Sequence, residues 1–213
     1  MKKMCTPLSV LLTAIIILTS AVCFNASALD KSVWDTNWAE NTAEIAAAVT
    51  MTPASNDTDR YISWYSASDS GEVTVKNADG SAFGTFKAQA VAAPQGDYRL
   101  VAYISGLEAE KTYSYTCTSG EWTSKTYTIE AFDTESFTAV YVSDIHVSYN
   151  ENNPDEIRDN AYALNETLIA ATNKAASNGT TLDLILSGGD QASEGMRIEY
   201  EGVVANDFMK TIP

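Results

Sequence analysis

The sequence predicts a two-part fold, an all-β sandwich followed by the first strand–helix–strand–helix portion of an α/β sandwich. Residues 45–132 contain short runs of alternating apolar and polar residues separated by turn clusters, which is typical of antiparallel strands. Residues 137–213 instead alternate two β-prone runs with two helical patterns, which is typical of parallel strands. The change of pattern falls at the polar residues 134–136.

The first 28 residues have the pattern of a secretory signal peptide of bacterial style. Lys2 and Lys3 form a basic start, residues 10–24 are mostly apolar, and residues 26–28 (Ala-Ser-Ala) are the small residues that signal peptidase requires. A retained membrane anchor is the alternative, but the apolar run is short for a span. We therefore predict cleavage after Ala28, secretion or display at the cell surface, and no stable membrane span in the mature chain.

The mature chain is strongly acidic. Loss of Lys2 and Lys3 lowers the number of basic residues from 13 to 11 against 28 acidic residues, so the net charge becomes −17. Such a surface repels nucleic acid and anionic lipid, and no nucleic-acid binding is expected. Solubility outside the cell explains the charge fully, so the charge does not specify a partner or an oligomeric state.

One cysteine remains after signal cleavage. Cys5 and Cys23 leave with the signal peptide, so Cys117 has no partner for an internal disulfide. It lies in an alternating segment at residues 113–117, and we predict that it is a small buried residue on a strand.

The mature chain begins with a leader segment, residues 29–44, that carries Trp34 and Trp38 among polar residues. We predict that this segment packs on the β-sandwich of residues 45–132. Strand patterns and turn clusters alternate through the sandwich, with strands at residues 62–66, 73–75 and 113–115 and turns at residues 77–81 and 94–97.

A tyrosine near the end of the predicted sandwich indicates which type of β-sandwich it is. Tyr113 follows Leu107 by six residues, across a turn and at the start of a strand. This spacing resembles the tyrosine corner of fibronectin type III and immunoglobulin-like sandwiches, in which the phenol hydroxyl ties the strand to the preceding connection. Trp64 also falls where such sandwiches bury a tryptophan.

The second part begins with a β-prone run at residues 137–142, followed by a long helical pattern. Residues 152–156 supply a helix cap, with Pro154 expected in the first turn, and Asn178-Gly179 supplies the stop. A second buried-strand run covers residues 182–186, and a second helix is expected from Tyr200 to about Lys210. This order predicts two parallel strands joined by a right-handed crossover.

Three metal-binding residue types follow the two predicted strands. Asp144 and His146, the only histidine of the chain, come after the first strand, and Asp190 comes after the second. Because neighbouring parallel strands end at the same edge of a sheet, we expect the three side chains to meet there. Asp and His together favour Zn, Mn or Fe over Mg and Ca. Gly188 and Gly189 let the backbone turn sharply before Asp190.

The segments at residues 143–146 (Ser-Asp-Ile-His) and 188–190 (Gly-Gly-Asp) resemble the first two motifs of the calcineurin-like metallophosphoesterases. A fibronectin-like domain ahead of that core is similar to purple acid phosphatases in particular. The resemblance implies that Asp144 and His146 bind one metal ion and that Asp190 bridges two ions. It also implies hydrolysis of phosphate mono- or diesters by a metal-bound hydroxide, with phosphate esters as substrates.

The sequence departs from the purple acid phosphatases at two positions. They have glycine where His146 stands and tyrosine where Ser193 stands. The two changes compensate, because His146 takes the coordination place of the tyrosine. Without that phenolate no charge-transfer colour is expected.

The later motifs of the family, Gly-Asn-His, a lone His and Gly-His-x-His, do not occur, because no histidine follows His146. We therefore interpret residues 137–213 as the N-terminal part of a longer metallophosphoesterase domain and expect the 213-residue chain to be inactive alone. A non-functional remnant of such an enzyme has the same sequence features. The alternative from another class is an extracellular binding module whose sandwich recognises a glycan or protein through Trp34, Trp38 or Trp122.

Overall fold

The computed structural model describes residues 30–56, 58–93, 97–130, 136–195 and 197–209. The predicted signal peptide and its cleavage site lie outside these residues. Within them, no helix is both long and apolar enough to cross a membrane. The described fold is mostly antiparallel β-sheet with four helices.

The leader segment forms two short helices, α1 (Lys31–Glu40) and α2 (Thr42–Ala47). The side chain of Asp30 caps α1 by accepting a hydrogen bond from the backbone N–H of Ser32 at 2.8 Å. Trp34 is fully buried, and its indole N–H donates to the carbonyl oxygen of Arg158 at 3.1 Å, far along the chain. The prediction that the leader packs on the sandwich is therefore incomplete, because Trp34 packs on the second part of the chain.

Eight strands form one antiparallel sheet that curls on itself. They are β1 (Thr50–Pro53), β2 (Arg60–Ser66), β3 (Glu72–Asn77), β4 (Ala82–Ala92), β5 (Tyr98–Ile104), β6 (Thr112–Ser119), β7 (Trp122–Thr123) and β8 (Tyr127–Glu130). The strand order is β1-β2-β5-β4-β3-β6-β7, and β8 also pairs with β6. The long strand β4 pairs with β3 through residues 82–87 and with β5 through residues 88–92. Its change of partner allows the sheet to curl.

The curled sheet encloses one apolar core. Trp64 on β2 is fully buried, and its indole N–H donates to the hydroxyl of Ser119 on β6 at 3.2 Å, which joins the two halves of the sheet. Cys117 is fully buried on β6, as the alternating pattern predicts. The backbone N–H of Glu108 donates to the hydroxyl of Tyr113 at 3.0 Å, so the tyrosine ties its strand to the preceding connection as expected.

The second part contains β9 (Ala139–Val142), α3 (Glu156–Ser177), β10 (Leu184–Ser187) and α4 (Arg197–Met209). Strands β9 and β10 are parallel, with Val142 opposite Ser187, which confirms the predicted pairing. Helix α3 begins later than expected, because Asp155 is its N-cap and Pro154 lies in the preceding turn. The predicted end of the last helix, Lys210, lies outside the described residues.

The expected burial of these two strands is wrong. Tyr141 is 68% exposed, Ile185 40% and Leu186 45%. Apolar runs of this kind are normally covered on both faces of a parallel sheet. Here β9 and β10 pair only with each other among the described strands, and the main contacts of α3 and α4 are with each other and with α1 and α2. A cavity of about 410 Å³ separates the strands from β1 and from those helices.

Helix α4 is joined to the curled sheet by Arg197. This side chain donates to the carboxylates of Asp97 and Glu201 and to the carbonyl oxygen of Ala46, the last at 3.0 Å. Its guanidinium also lies 4.0 Å from the centre of the Tyr65 ring, a favourable cation–π distance. The start of α4, which directly follows the Asp190 loop, is thereby held against the rest of the fold.

Alkaline pH is expected to destabilise the fold through Cys117 and Tyr127. Burial raises the pKa of the Cys117 thiol to about 12, and burial also raises the pKa of the Tyr127 hydroxyl. Both groups keep their protons to a higher pH in the folded chain than in the unfolded chain. The stability that depends on them is therefore fully present below about pH 9 and falls as the pH rises above it.

The free energy of unfolding in urea, measured at about pH 8 and about pH 10.5, checks this expectation. Cys117→Ala should show a smaller loss between the two pH values than the unchanged chain. Equal losses in the two proteins would contradict the assignment to Cys117.

Candidate metal site at the carboxyl edge of the parallel strands

The two loops that follow β9 and β10 stay parallel and hydrogen bonded. The backbone N–H of Asp144 donates to the carbonyl oxygen of Gly189 at 3.2 Å, and that of His146 donates to the carbonyl oxygen of Asp190 at 2.9 Å. One residue further on, Val147 and Ala192 form a parallel bridge. The predicted site residues are therefore carried by two loops that are fastened to each other along their length.

All three predicted site residues have left-handed backbone conformations. The φ angle is 56° at Asp144, 49° at His146 and 49° at Asp190. Among the described non-glycine residues, only Ala48 and Glu110 share a positive φ. Such conformations are costly for residues with a side chain, although Asp and His adopt them more readily than most. Strain of this kind concentrates at functional sites, which makes the two loops the leading candidate site.

The structure brings the three side chains together as predicted. One ligand atom from each of Asp144, His146 and Asp190 lies within 4.8 Å of the others, and the imidazole Nε2 of His146 is 4.0 Å from a carboxylate oxygen of Asp144. Two atoms bound to one ion at about 2.1 Å lie at most about 4.2 Å apart. Because all three side chains are exposed, small rotations can close this difference.

The donor set fits a borderline transition metal. Two carboxylates and one imidazole suit Zn, Mn or Fe, whereas an all-oxygen shell would favour Mg or Ca. Within the part of the chain that the structure describes, no lysine or arginine forms an ion pair with Asp144 or Asp190. A cation between the two carboxylates would remove their mutual repulsion.

The two glycines before Asp190 differ in what their geometry requires. Gly189 has a φ of +115°, a conformation that favours glycine, so the predicted sharp turn is present. A Cβ atom at Gly188 would lie 1.9 Å from the hydroxyl oxygen of Tyr141, an exposed side chain that could turn aside. On the other loop, the hydroxyl of Ser143 donates to the Asp144 carboxylate.

Ser193 supports the site through the backbone. Its hydroxyl donates to the carbonyl oxygen of His146 at 3.2 Å, and its N–H donates to the carbonyl oxygen of Val147 at 3.0 Å. Ser193 therefore contacts the loop that carries His146.

Glu199, which no sequence pattern singles out as a site residue, is a fully buried carboxylate that contacts both loops. It accepts hydrogen bonds from the backbone N–H groups of Tyr149 and Glu194. The last helix was expected to begin at Tyr200, whereas α4 begins at Arg197 and has Glu199 in its first turn. An acidic residue in the first turn of a helix is the signal that could have drawn attention to it.

The tryptophans proposed for a binding module are packing residues. Trp34 is fully buried, and Trp38 and Trp122 are partly buried against the core of the curled sheet. Their positions do not form an exposed aromatic platform among the described residues.

No protein-family model matches the chain, and no curated protein matches it. Among solved structures, the chain is similar to a purple acid phosphatase from the seeds of yellow lupin (Lupinus luteus), with 14% sequence identity and a TM-score of 0.50. The match covers 74% of this chain and 32% of that protein. It also resembles the sensor domain of an anti-sigma factor from Pseudobacteroides cellulosolvens, at 19% identity over 44% of this chain and 97% of that one, but the TM-score of 0.30 is too low to carry an argument.

The first of these likenesses is one of fold. It supports a purple acid phosphatase-like fold for the chain, which spans about a third of that enzyme's length.

Proposed function

We propose that the chain provides one part of the two-metal centre of an exported phosphoesterase that hydrolyses phosphate mono- or diesters. The observation that carries the proposal is the convergence of Asp144, His146 and Asp190 at the carboxyl edge of two parallel strands. The fold likeness to a purple acid phosphatase supports it. Two ions of Fe, Mn or Zn would bind the phosphoryl group and activate water.

The resemblance to metallophosphoesterases implies a role for each of the three side chains. Asp144 and His146 lie on one loop and would hold one ion together, while Asp190 on the other loop would contact both ions. The loops are fastened by backbone hydrogen bonds, so the backbone that carries the three ligands is fixed before an ion binds, and the side chains need only rotate. The site lies at an exposed edge of the sheet, which leaves room for a phosphate ester. Without bound metal ions, the two carboxylates would repel the negative charge of the ester.

The described cluster is too small to complete such a centre. A single zinc ion normally takes four ligands, and two ions need more than three side chains. Within the described residues, no fourth His, Cys, Asp or Glu joins the group. We propose that the remaining ligands lie in a further part of a longer protein, as the resemblance to metallophosphoesterases implies.

The activity of the chain tests this proposal. The 213-residue chain, supplied with Zn²⁺, Mn²⁺ or Fe²⁺, is expected to hydrolyse neither p-nitrophenyl phosphate nor its diester above the rate of the metal alone. A longer protein that contains this sequence and the missing histidines should hydrolyse at least one of them and should lose the activity on Asp190→Asn. A longer protein whose activity survives that change would overturn the proposal.

A further inference from the structure

Glu199 is a fully buried carboxylate that bridges the two loops of the candidate metal site. One carboxylate oxygen accepts a hydrogen bond from the backbone N–H of Tyr149 at 3.0 Å, and the other accepts one from the backbone N–H of Glu194 at 2.9 Å. Tyr149 follows His146 by three residues, and Glu194 follows Asp190 by four. A single side chain therefore holds both ligand-bearing loops.

Burial of a carboxylate is unfavourable unless strong hydrogen bonds replace its hydration. The two backbone donors supply such bonds, and the first turn of α4 places the charge at the favourable end of the helix dipole. An apolar side chain would fill the same space without the desolvation cost. The specific contribution of Glu199 is thus to bind the N–H groups of two loops at once.

Helix α4 approaches the loops closely enough for this contact because of Gly202. This glycine is buried one turn after Glu199, and a Cβ atom there would lie 2.6 Å from Ile157 Cγ2 and 3.0 Å from Val147 Cγ1. Val147 directly follows His146 and is itself fully buried. Any larger residue at Gly202 would push α4 away from the loop that carries His146.

We infer that Glu199 is a positioning residue, which fixes the spacing between the Asp144–His146 loop and the Asp190 loop and so sets the geometry of the metal site. Glu199 does not touch the ion in this arrangement. It acts through the backbone of both loops, and Gly202 permits it to do so. The inference rests on the proposed function, because the geometry matters only if the three ligands hold a metal.

The loop contact can be tested without metal, by backbone amide exchange of the metal-free chain. In Glu199→Gln, the amide NH₂ group replaces one acceptor oxygen and faces a backbone donor. Exchange at Tyr149 or Glu194 is expected to become about tenfold faster, as for the loss of one net hydrogen bond. Glu121→Gln is the matched control, because Glu121 is exposed in the turn between β6 and β7, away from both loops; it should leave both amides unchanged.

The consequence for the metal site is tested with Co²⁺ alone, whose visible absorption reports its coordination geometry. Glu199→Gln is expected to raise the Kd for Co²⁺ about tenfold, as is typical for groups that orient metal ligands, and to alter the absorption spectrum. Gly202→Ala should change the spectrum in the same direction, although it leaves the carboxylate in place. Glu121→Gln should bind Co²⁺ like the unchanged chain.

The outcomes separate the two proposals. Unchanged amide exchange, or unchanged Co²⁺ affinity and spectrum in Glu199→Gln, would overturn the positioning role. If the unchanged chain does not bind Co²⁺ at all, the three side chains do not form a metal site by themselves and the positioning role fails, whereas the proposed function is still decided by the activity of the longer protein and its Asp190→Asn variant. If amide exchange in the curled sheet also becomes faster in Glu199→Gln, that variant is destabilised as a whole, and Gly202→Ala provides the test instead. An unaltered Co²⁺ spectrum in Gly202→Ala would refute the inference.

Discussion

Replacement of Asp190 by asparagine is expected to weaken Zn²⁺ binding to the chain about a hundredfold, or about 2.8 kcal/mol. Asparagine keeps the size of the side chain but removes the negative charge that a metal ligand needs. Only Asp144 and His146 would then hold the ion among the described cluster. Calorimetric titration of the metal-free chain with Zn²⁺ measures the change.

Asp69→Asn is the matched control for this substitution. Asp69 is exposed in the connection between β2 and β3, on the curled sheet, so its replacement changes the net charge equally without touching the site. It should bind Zn²⁺ as the unchanged chain does. Equal affinities for Asp190→Asn and Asp69→Asn would show that Zn²⁺ responds to the general acidity of the surface rather than to the cluster.

Trp64→Ala is expected to destabilise the curled sheet by about 3–5 kcal/mol. Trp64 is fully buried, and its hydrogen bond to Ser119 joins β2 to β6 across the core. The ring also packs on Gly71, where an added Cβ would lie 2.8 Å from it. The substitution would leave a cavity and an unpaired Ser119 hydroxyl between the two halves of the sheet.

Urea unfolding followed by circular dichroism measures this loss. Trp122→Ala is the control, because Trp122 is only partly buried against the same core and lies on the two-residue strand β7. Its replacement should cost less than half as much. Similar losses for the two variants would contradict the assignment of Trp64 to the centre of the core.

Much of the candidate site could be predicted because its causes are local. The apolar runs, the helix stop at Asn178-Gly179 and the short connections predict a strand–helix–strand unit, and the parallel pairing of β9 and β10 confirms it. Parallel strands then bring Asp144 and Asp190 to one edge whatever the rest of the chain does. Gly189 before Asp190 could be interpreted in the same way, because its positive φ is a conformation that glycine adopts most easily.

The features that the sequence analysis missed depend on distant parts of the chain. Trp34 packs on α3, where its indole N–H donates to the carbonyl oxygen of Arg158. The two residues are far apart in the sequence, so no local pattern predicts this contact. The exposure of Tyr141 and Leu186 depends on which elements pack on the sheet of β9 and β10. An apolar run predicts a strand but does not show what packs on it. Glu199 contacts the nearby Glu194 N–H and also the N–H of Tyr149, which lies 50 residues earlier, so its contact with the second loop could be found only from the folded chain.

The central claim is that Asp144, His146 and Asp190 hold a metal ion. Anomalous diffraction at the zinc edge, from crystals of the full chain grown with one equivalent of Zn²⁺, tests it most directly. We expect one strong peak about 2.0–2.2 Å from a ligand atom of each of the three side chains. A peak elsewhere on the acidic surface, or none at this edge of β9 and β10, would contradict it.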